Sequence, residues 1–224
     1  MNLEKLFEMQ KVLDEKIYAR FPGLKEEDWS WKITALLVEL GECANEHRGF
    51  KKWSENQQPR TKIEHLCTVC DGSGDENWPS SVEMLLEGGS ANPYLKCEDC
   101  DGTGKLGETN PILEEFVDCI HFFISIAIEL KINPADFIVD DDYTQPTATQ
   151  TFNRVFSTAS SLDVLMDPET AASISLEDLQ ETLHEAFSCF IGLGEKFLGF
   201  TWDQVEAAYY AKNEINHVRQ AEGY

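Results

Sequence analysis

Two short acidic patterns carry the chemistry that this sequence could perform. In "ALLVELGECANEHRGFKKW", Glu39, Glu42 and Glu46 follow one another at i, i+3 and i+7. In "EEFVDCIHFFISI", Glu115 and Asp118 repeat the i, i+3 spacing and lead into an apolar run. Residues three or four apart share one face of a helix. Two such helices facing each other would therefore place four carboxylates around one point.

Four carboxylates around one point repel one another and so raise one another's pKa. Divalent cations between them would remove this repulsion. Hard oxygen ligands suit magnesium, which holds few carboxylates and completes its shell with water and substrate phosphates. The alternative is that each acidic pair lies on a solvated face, which is common in an acidic protein. Glu39 stands between Val38 and Leu40 in an apolar segment, and this position favours the metal site.

The elements that must position these acids are helices. Apolar residues recur at i, i+3 and i+4, which predicts helices over roughly 2–20, 28–53, Pro111 to near "INP", 175–198 and 202–220, with a possible helix at 151–166. Pro111 suits the first turn of a helix because its missing N–H has no partner there. Strand-like alternation is nearly absent, "DFIVDDDYTQ" being the candidate. The sequence predicts an all-α helical bundle.

Residues 57–108 interrupt this pattern and predict an inserted module, with 1–56 and 109–224 forming the helical core. The segment contains two near-copies, "CTVCDGSG" and "CEDCDGTG". Two Cys-x-x-Cys knuckles can supply a tetrahedral zinc site with four thiolates, and they resemble the repeats of DnaJ-type zinc modules. Two disulfides are the alternative, which a cytoplasmic protein disfavours. The expected zinc ligands are Cys67, Cys70, Cys97 and Cys100.

The charge limits the partners. With 41 acidic and 18 basic residues the formal net charge is -23, which disfavours nucleic acid, since non-specific binding to it rests on basic side chains. A polyanionic small molecule would be repelled too, unless cations bridge it to the protein. No apolar run is long enough for a membrane span, and no signal peptide is recognised. The sequence predicts a cytoplasmic protein without a membrane partner.

Four segments resemble the all-α dimeric dUTP diphosphatases, a branch of the all-α nucleotide pyrophosphohydrolases that include MazG-like proteins. They are "LFEMQKVLDEKI", "ELGECANEHRGFKKW", "EEFVDCIHFFISI" and "FTWDQVEAAYYAKNEINHVRQAEGY". The resemblance implies magnesium-dependent hydrolysis of dUTP to dUMP and pyrophosphate by a metal-activated water, in a homodimer whose sites could draw residues from both subunits. It assigns catalysis and magnesium binding to Glu39, Glu42, Glu115 and Asp118, with Glu46 as an extra ligand or nearby acid. Glu39 would orient or deprotonate the water.

The last helix carries candidate phosphate contacts. Lys212, Asn216 and Arg219 stand at i, i+4 and i+7, and Arg offers a fork of donors where Lys offers a point charge. They could instead pair with neighbouring acids. The resemblance favours a phosphate clamp, with Asn216 contacting the sugar or base.

The resemblance also points to residues that would contact the nucleoside. Gln10 matches the Gln that contacts uracil in the family. A side-chain amide carries both donors and an acceptor, so it can complement the edge of uracil. Trp53 and His121 could line the same pocket, although plain packing is the alternative for both.

Two rival functions stay open at this point. A dCTP or broader dNTP pyrophosphohydrolase is the nearest, since uracil and cytosine differ at one edge. A zinc-dependent adaptor on an inactive helical scaffold is the rival of another class.

Overall fold

The computed structural model describes residues 2–139 and 141–223, and α-helices make up most of it. The helices are α1 (Leu3–Arg20), α2 (Ser30–His47), α3 (Trp78–Leu86), α4 (Pro111–Glu129), α5 (Ala148–Met166), α6 (Pro168–Ala171), α7 (Leu176–Leu193) and α8 (Trp202–Glu222). The strands are β1 (Ile63–Leu66) and β2 (Lys105–Thr109). The predicted all-α class is confirmed. None of the described helices is long and apolar enough to cross a membrane.

The chain divides into two compact units. The larger comprises 1–59 and 112–224, and the smaller comprises 60–111 with β1, α3 and β2. In the smaller unit the two strands pair antiparallel, with Ile63 opposite Thr109 and a bulge after His65.

The larger unit is built around one apolar core. In it α5 packs against α7 and α2, and α1 packs against α8. Phe116 of α4 stacks on Phe190 of α7 with ring centroids 4.3 Å apart. Leu36 and Leu40 of α2 are fully buried in the same core, and burying a side chain of this size contributes about 1.5–3 kcal/mol. The burial of these apolar faces fixes the helices on which the acidic residues stand.

Several helix ends follow from local chemistry that the sequence reveals. α4 begins at Pro111, as predicted. α8 begins with a capping box, in which Thr201 and Gln204 each accept from the other's backbone N–H. α7 begins with a second capping box, formed by Ser175 and Asp178.

Other boundaries differ from the prediction. α2 ends at His47 instead of extending to 53, because Arg48 adopts a left-handed conformation (φ 64°) and its N–H bonds to the Ala44 carbonyl. α7 passes at Gly194 into a single wider π-helical turn that ends at Leu198.

The strand prediction was wrong in its location. Within "DFIVDDDYTQ" the described residues, 136–139 and 141–145, contain no strand. Both strands lie instead in the smaller unit, where ion pairs from Lys62 to Glu64 and Glu108 accompany the pairing. The strands are four and five residues long and almost entirely exposed, so they carry no apolar alternation that periodicity could detect.

Candidate active site and metal centres

Three carboxylates from two helices converge in the larger unit. Glu39 and Glu42 of α2 and Glu115 of α4 each place an oxygen within 4.8 Å of the other two. Glu39 and Glu115 are half-buried, whereas Glu42 is exposed. The i, i+3 spacing on α2 turns both of its acids toward α4, so the structure brings together three of the four predicted acids in one group.

The electrostatics of this group are unfavourable in the absence of a cation. Burial, and then the charges of Asp118 and Glu42, raise the pKa of Glu39 to about 7. Burial, and then the charges of Asp118, Glu42 and Glu39, raise the pKa of Glu115 to about 7. The group can therefore bind a divalent cation or hold a proton near neutral pH.

Asp118 and Glu46 lie outside that group of three. Asp118 forms an ion pair of 2.5 Å with Lys212 of α8, and their side chains are 15% and 18% exposed. Burial raises the pKa of Asp118, while the Lys212 ammonium opposes the shift. Glu46 is half-buried one turn beyond Glu42 on α2.

A cleft of about 390 Å³ lies beside these acids and is lined by residues of α1, α2, α4 and α8. Its wall combines charged, polar and aromatic groups, which suits a ligand with a charged part and a flat part. Seven of its residues are predicted site residues: Gln10, Glu39, Asp118, His121, Lys212, Asn216 and Arg219. Its apolar residues include Leu13, Ile17, Phe21, Leu24, Trp31 and Phe122.

Gln10 is buried and its amide is engaged within the protein. Its oxygen lies 2.7 Å from His121 Nδ1 and accepts from the Tyr209 hydroxyl at 3.0 Å. Its nitrogen donates to Asp14 Oδ1 at 2.7 Å.

Asp14 anchors a wider buried network that sequence reasoning missed. Its second oxygen accepts from the Ser125 hydroxyl at 2.6 Å and from Lys32 at 3.4 Å. Lys32 also donates to Glu129 at 2.6 Å. Burial opposes the charge of Lys32, but Asp14 and Glu129 outweigh it and raise the Lys32 pKa. The available signal was a carboxylate one turn after Gln10, next to the apolar Leu13.

His121 is almost completely buried. Burial, aided by the Lys212 charge, lowers its pKa to about 3, while the polar backbone of Tyr209 acts in the opposite direction. The imidazole stacks on the Tyr209 ring with centroids 3.8 Å apart. It is therefore neutral at physiological pH, and its Nε2 has no hydrogen-bond partner among the described residues.

Trp53 is not brought to the cleft. Its side chain is 78% exposed, and its ring contacts Phe50 in an edge-on arrangement. The physical reason is the left-handed end of α2 at Arg48, after which the chain turns instead of continuing as a helix.

The smaller unit holds a second cluster, formed by four buried cysteines whose sulfurs all lie within 4.8 Å of one another. Cys67 and Cys97 are separated by 3.7 Å between sulfurs, as are Cys70 and Cys100. A disulfide needs about 2.05 Å, so these thiols are free. A tetrahedron with metal–sulfur bonds of about 2.3 Å has sulfurs about 3.8 Å apart. The spacing fits zinc.

The two knuckles have the same conformation. The Gly74 N–H points at the Cys70 sulfur and the Gly104 N–H at the Cys100 sulfur, both at 3.2 Å. Gly74 has a φ of +77°, and a Cβ there would lie 2.3 Å from the Gly102 carbonyl oxygen. Glycine is required because the two knuckles touch through their backbones.

Comparison with known proteins gives one family. The model of the family described as dUTPase matches residues 2–69 and 103–224. No curated protein and no solved structure matches the chain. The unmatched stretch between the two segments contains Cys70, Cys97 and Cys100.

Proposed function

The chain belongs to the dUTPase family, and we propose that its larger unit hydrolyses dUTP to dUMP and pyrophosphate with magnesium held by the acids of α2 and α4. The observation that carries the proposal is the convergence of Glu39, Glu42 and Glu115 within 4.8 Å. Glu39 also lines the cleft that contains Lys212 and Arg219. A cation bound by these acids would lie at the edge of a cleft with groups suited to a triphosphate.

The donor set fits magnesium. Carboxylate oxygens are the hard ligands that magnesium prefers, and it uses few of them together with substrate phosphates. The raised pKa values of Glu39 and Glu115 reflect a repulsion that a divalent cation would relieve. Asp118 would join Glu39, Glu42 and Glu115 as a ligand. Glu46 would be an extra ligand or a nearby acid. When bound, magnesium would neutralise charge on the phosphoryl oxygens and acidify a water molecule.

The side chains of the chain have separate tasks in this proposal. Glu39 lines the cleft beside Asp118 and can orient the attacking water or accept its proton. Lys212 and Arg219 donate to phosphate oxygens, Arg219 through a fork of N–H groups. Asn216 is one turn from Lys212 on α8 and can offer both a donor and an acceptor to the sugar.

The test is release of pyrophosphate from dUTP, dCTP, dTTP and dATP, with magnesium and then with EDTA. We expect turnover of dUTP that EDTA abolishes. Glu42→Gln and Asp118→Asn should each abolish turnover while circular dichroism stays helical, and Glu8→Gln, on the exposed face of α1, should keep wild-type rates. Faster turnover of dCTP than dUTP would contradict the substrate. No turnover of any nucleotide would favour the adaptor function.

We propose further that the four cysteines of the smaller unit bind one zinc ion as a structural site. The sulfur spacing of 3.7 Å and the two N–H groups at 3.2 Å support it. Metal analysis should find one zinc per chain, which Cys67→Ser should lose. That variant should make 60–111 sensitive to protease while dUTP turnover persists. Loss of turnover with an intact helical core would instead tie the zinc site to catalysis.

A homodimer is the third part of the proposal. Val38 on α2, together with Phe50 and Trp53 after it, exposes apolar surface, which favours burial against a second copy. Trp53 could then contact the cleft of the partner subunit. Sedimentation equilibrium should give twice the chain mass for the wild type and the single mass for Val38→Asp. A monomeric wild type would refute this part alone.

A further inference from the structure

The smaller unit exposes an unusual amount of apolar surface for its size. Residues 60–111 make up less than a quarter of the chain, yet they contain ten of the twenty large apolar side chains that are exposed among the described residues. The buried apolar residues described in this unit are its four clustered cysteines. The cysteine cluster thus takes the place of an apolar core, and the other apolar side chains are left at the surface.

The helix α3 carries the most regular part of this surface. Trp78, Val82, Leu85 and Leu86 stand at i, i+4, i+7 and i+8, so they form one stripe along the helix. Leu86 is 84% exposed, Leu85 is 49% exposed and Trp78 is 42% exposed, while Val82 is half-buried. A helix normally buries such a stripe against the rest of the protein, whereas this one faces solvent.

Polar contacts hold α3 in place. The Ser81 hydroxyl is directed inward, since the residue is 1% exposed and accepts from the Asn92 backbone N–H at 2.9 Å. Just before the helix, the Asn77 side chain donates to the Pro93 carbonyl at 2.8 Å. Residues 92–93 lie a few positions before Cys97 of the second knuckle. The helix is therefore fixed beside the cysteine cluster without burying its apolar stripe.

The charges around the stripe limit what could cover it. Glu83 and Glu87 of α3 are exposed and form no ion pair among the described residues. The unit contains ten acidic and four basic residues, and Lys62, Lys96 and Lys105 are already paired with acids. A second copy of this chain would bring like charges together. Nucleic acid and anionic membranes are negative as well and would be repelled.

We propose that the apolar stripe of α3 is a docking surface for a basic amphipathic helix of another protein. Such a helix would pack apolar side chains at i, i+3, i+4 and i+7 against Trp78, Leu85 and Leu86. Lysine or arginine residues beside those positions would meet Glu83 and Glu87. α3 has nine residues and is therefore about 13 Å long, so the contact covers a few turns of the partner helix and is readily reversible.

The first test measures binding of a synthetic peptide to the full chain by fluorescence anisotropy. The probe is a labelled helix with leucine at i, i+3, i+4 and i+7 and lysine elsewhere. Leu86→Asp should weaken binding about tenfold, although its new carboxylate attracts lysine. Val164→Asp is the matched control, because Val164 is 62% exposed on α5 of the larger unit, and it should bind as the wild type does. Replacing Glu83 and Glu87 together by Gln should weaken binding about threefold at low salt.

Hydrogen exchange locates the contact. Adding the lysine–leucine peptide should protect the backbone amides of 78–87 in the wild type and should not protect them in Leu86→Asp. Equal binding to the wild type and to Leu86→Asp would overturn the inference, because attraction to the net charge would then explain it. Equal binding of a peptide with the same composition in scrambled order, or tighter binding of a glutamate–leucine peptide, would overturn it too.

Two measurements separate the other possible occupants of the stripe. A lower mass for Leu86→Asp than for the wild type in sedimentation equilibrium would mean that a second copy covers it. Binding of the wild type to phosphatidylcholine vesicles that Leu86→Asp loses would assign it to a membrane, and either result would overturn the inference. Leu86→Asp should keep the wild-type dUTP turnover, since Leu86 lies outside the larger unit, so failure of this inference leaves the proposed function standing.

Discussion

Glu42→Gln tests whether repulsion among the acids of α2 and α4 destabilises the metal-free protein and whether a bound cation relieves it. Glu42 has an oxygen within 4.8 Å of Glu39 and of Glu115. Two charges at that distance repel by about 0.9 kcal/mol in bulk water and about 3.5 kcal/mol at an effective dielectric of about 20. Glu42 is exposed, so the lower value is the better guide. Removing two such repulsions should stabilise the metal-free protein by about 1–2 kcal/mol.

The assay is thermal unfolding in EDTA across pH, followed by the same scan with magnesium. For a protein of this length about 1–2 kcal/mol corresponds to a rise in Tm of roughly 3–6 °C, expected for Glu42→Gln at pH 7.5. The folded pKa values of Glu39 and Glu115 are raised to about 7. The folded state therefore holds protons that the unfolded state releases, and stability in EDTA should fall between about pH 4.5 and 7.

In EDTA, the stability of Glu42→Gln should fall less than that of the wild type as the pH rises over this range. Magnesium should raise the Tm of the wild type at pH 7.5, because binding to the folded state alone stabilises it, and should have little effect on Glu42→Gln. Glu8→Gln is the control for the general relief of the net charge of -23. If Glu42→Gln is no more stable than Glu8→Gln in EDTA, or if magnesium stabilises both variants equally, the reasoning about this cluster is refuted.

Two further substitutions test other contacts. Gly74→Ala should lower zinc retention against a competing chelator at least tenfold, because its Cβ would lie 2.3 Å from the Gly102 carbonyl. Gly88→Ala, with a similar φ of +82° but open space around it, should retain zinc as the wild type does, and equal retention in both variants would contradict the contact. Lys212→Met leaves Asp118 buried without its ion pair, so chemical denaturation in EDTA at pH 7.5 should show a loss of about 2–3 kcal/mol. An unchanged unfolding free energy would mean that solvent reaches Asp118 freely.

The helices and the paired acids could be read from the sequence because both depend on local spacing. Apolar residues at i, i+3 and i+4 predicted α1, α4, α7 and α8 close to their observed bounds. The strands, the helix α3 and the early end of α2 were not found. The strands and α3 are short, and the end of α2 depends on a single backbone angle, that of Arg48. Such features leave no periodic signal in the sequence.

The arrangement inside the cleft had no comparable signal. The sequence selected Gln10 and His121 as candidates for base contacts, but it gave no sign of Asp14, whose carboxylate accepts from the Gln10 amide. Trp53 was selected as well, and the structure leaves it exposed. Polar residues on a helix look alike in sequence whether they face water or a buried partner, so their roles depend on what packs against them.

By itself the sequence determined the chemistry available to this protein: two acid pairs at helical spacing, two cysteine knuckles, and a basic face on the last helix. These are short-range patterns, since a helix brings residues three or four apart together without help from the rest of the fold. The tertiary structure decided which groups meet across helices. Glu115 reaches Glu39, Asp118 pairs with Lys212, and Asp14 orients Gln10 toward His121. Among these, the contacts between helices join residues as far as 111 positions apart, and only the packing of the shared apolar core can set their distances.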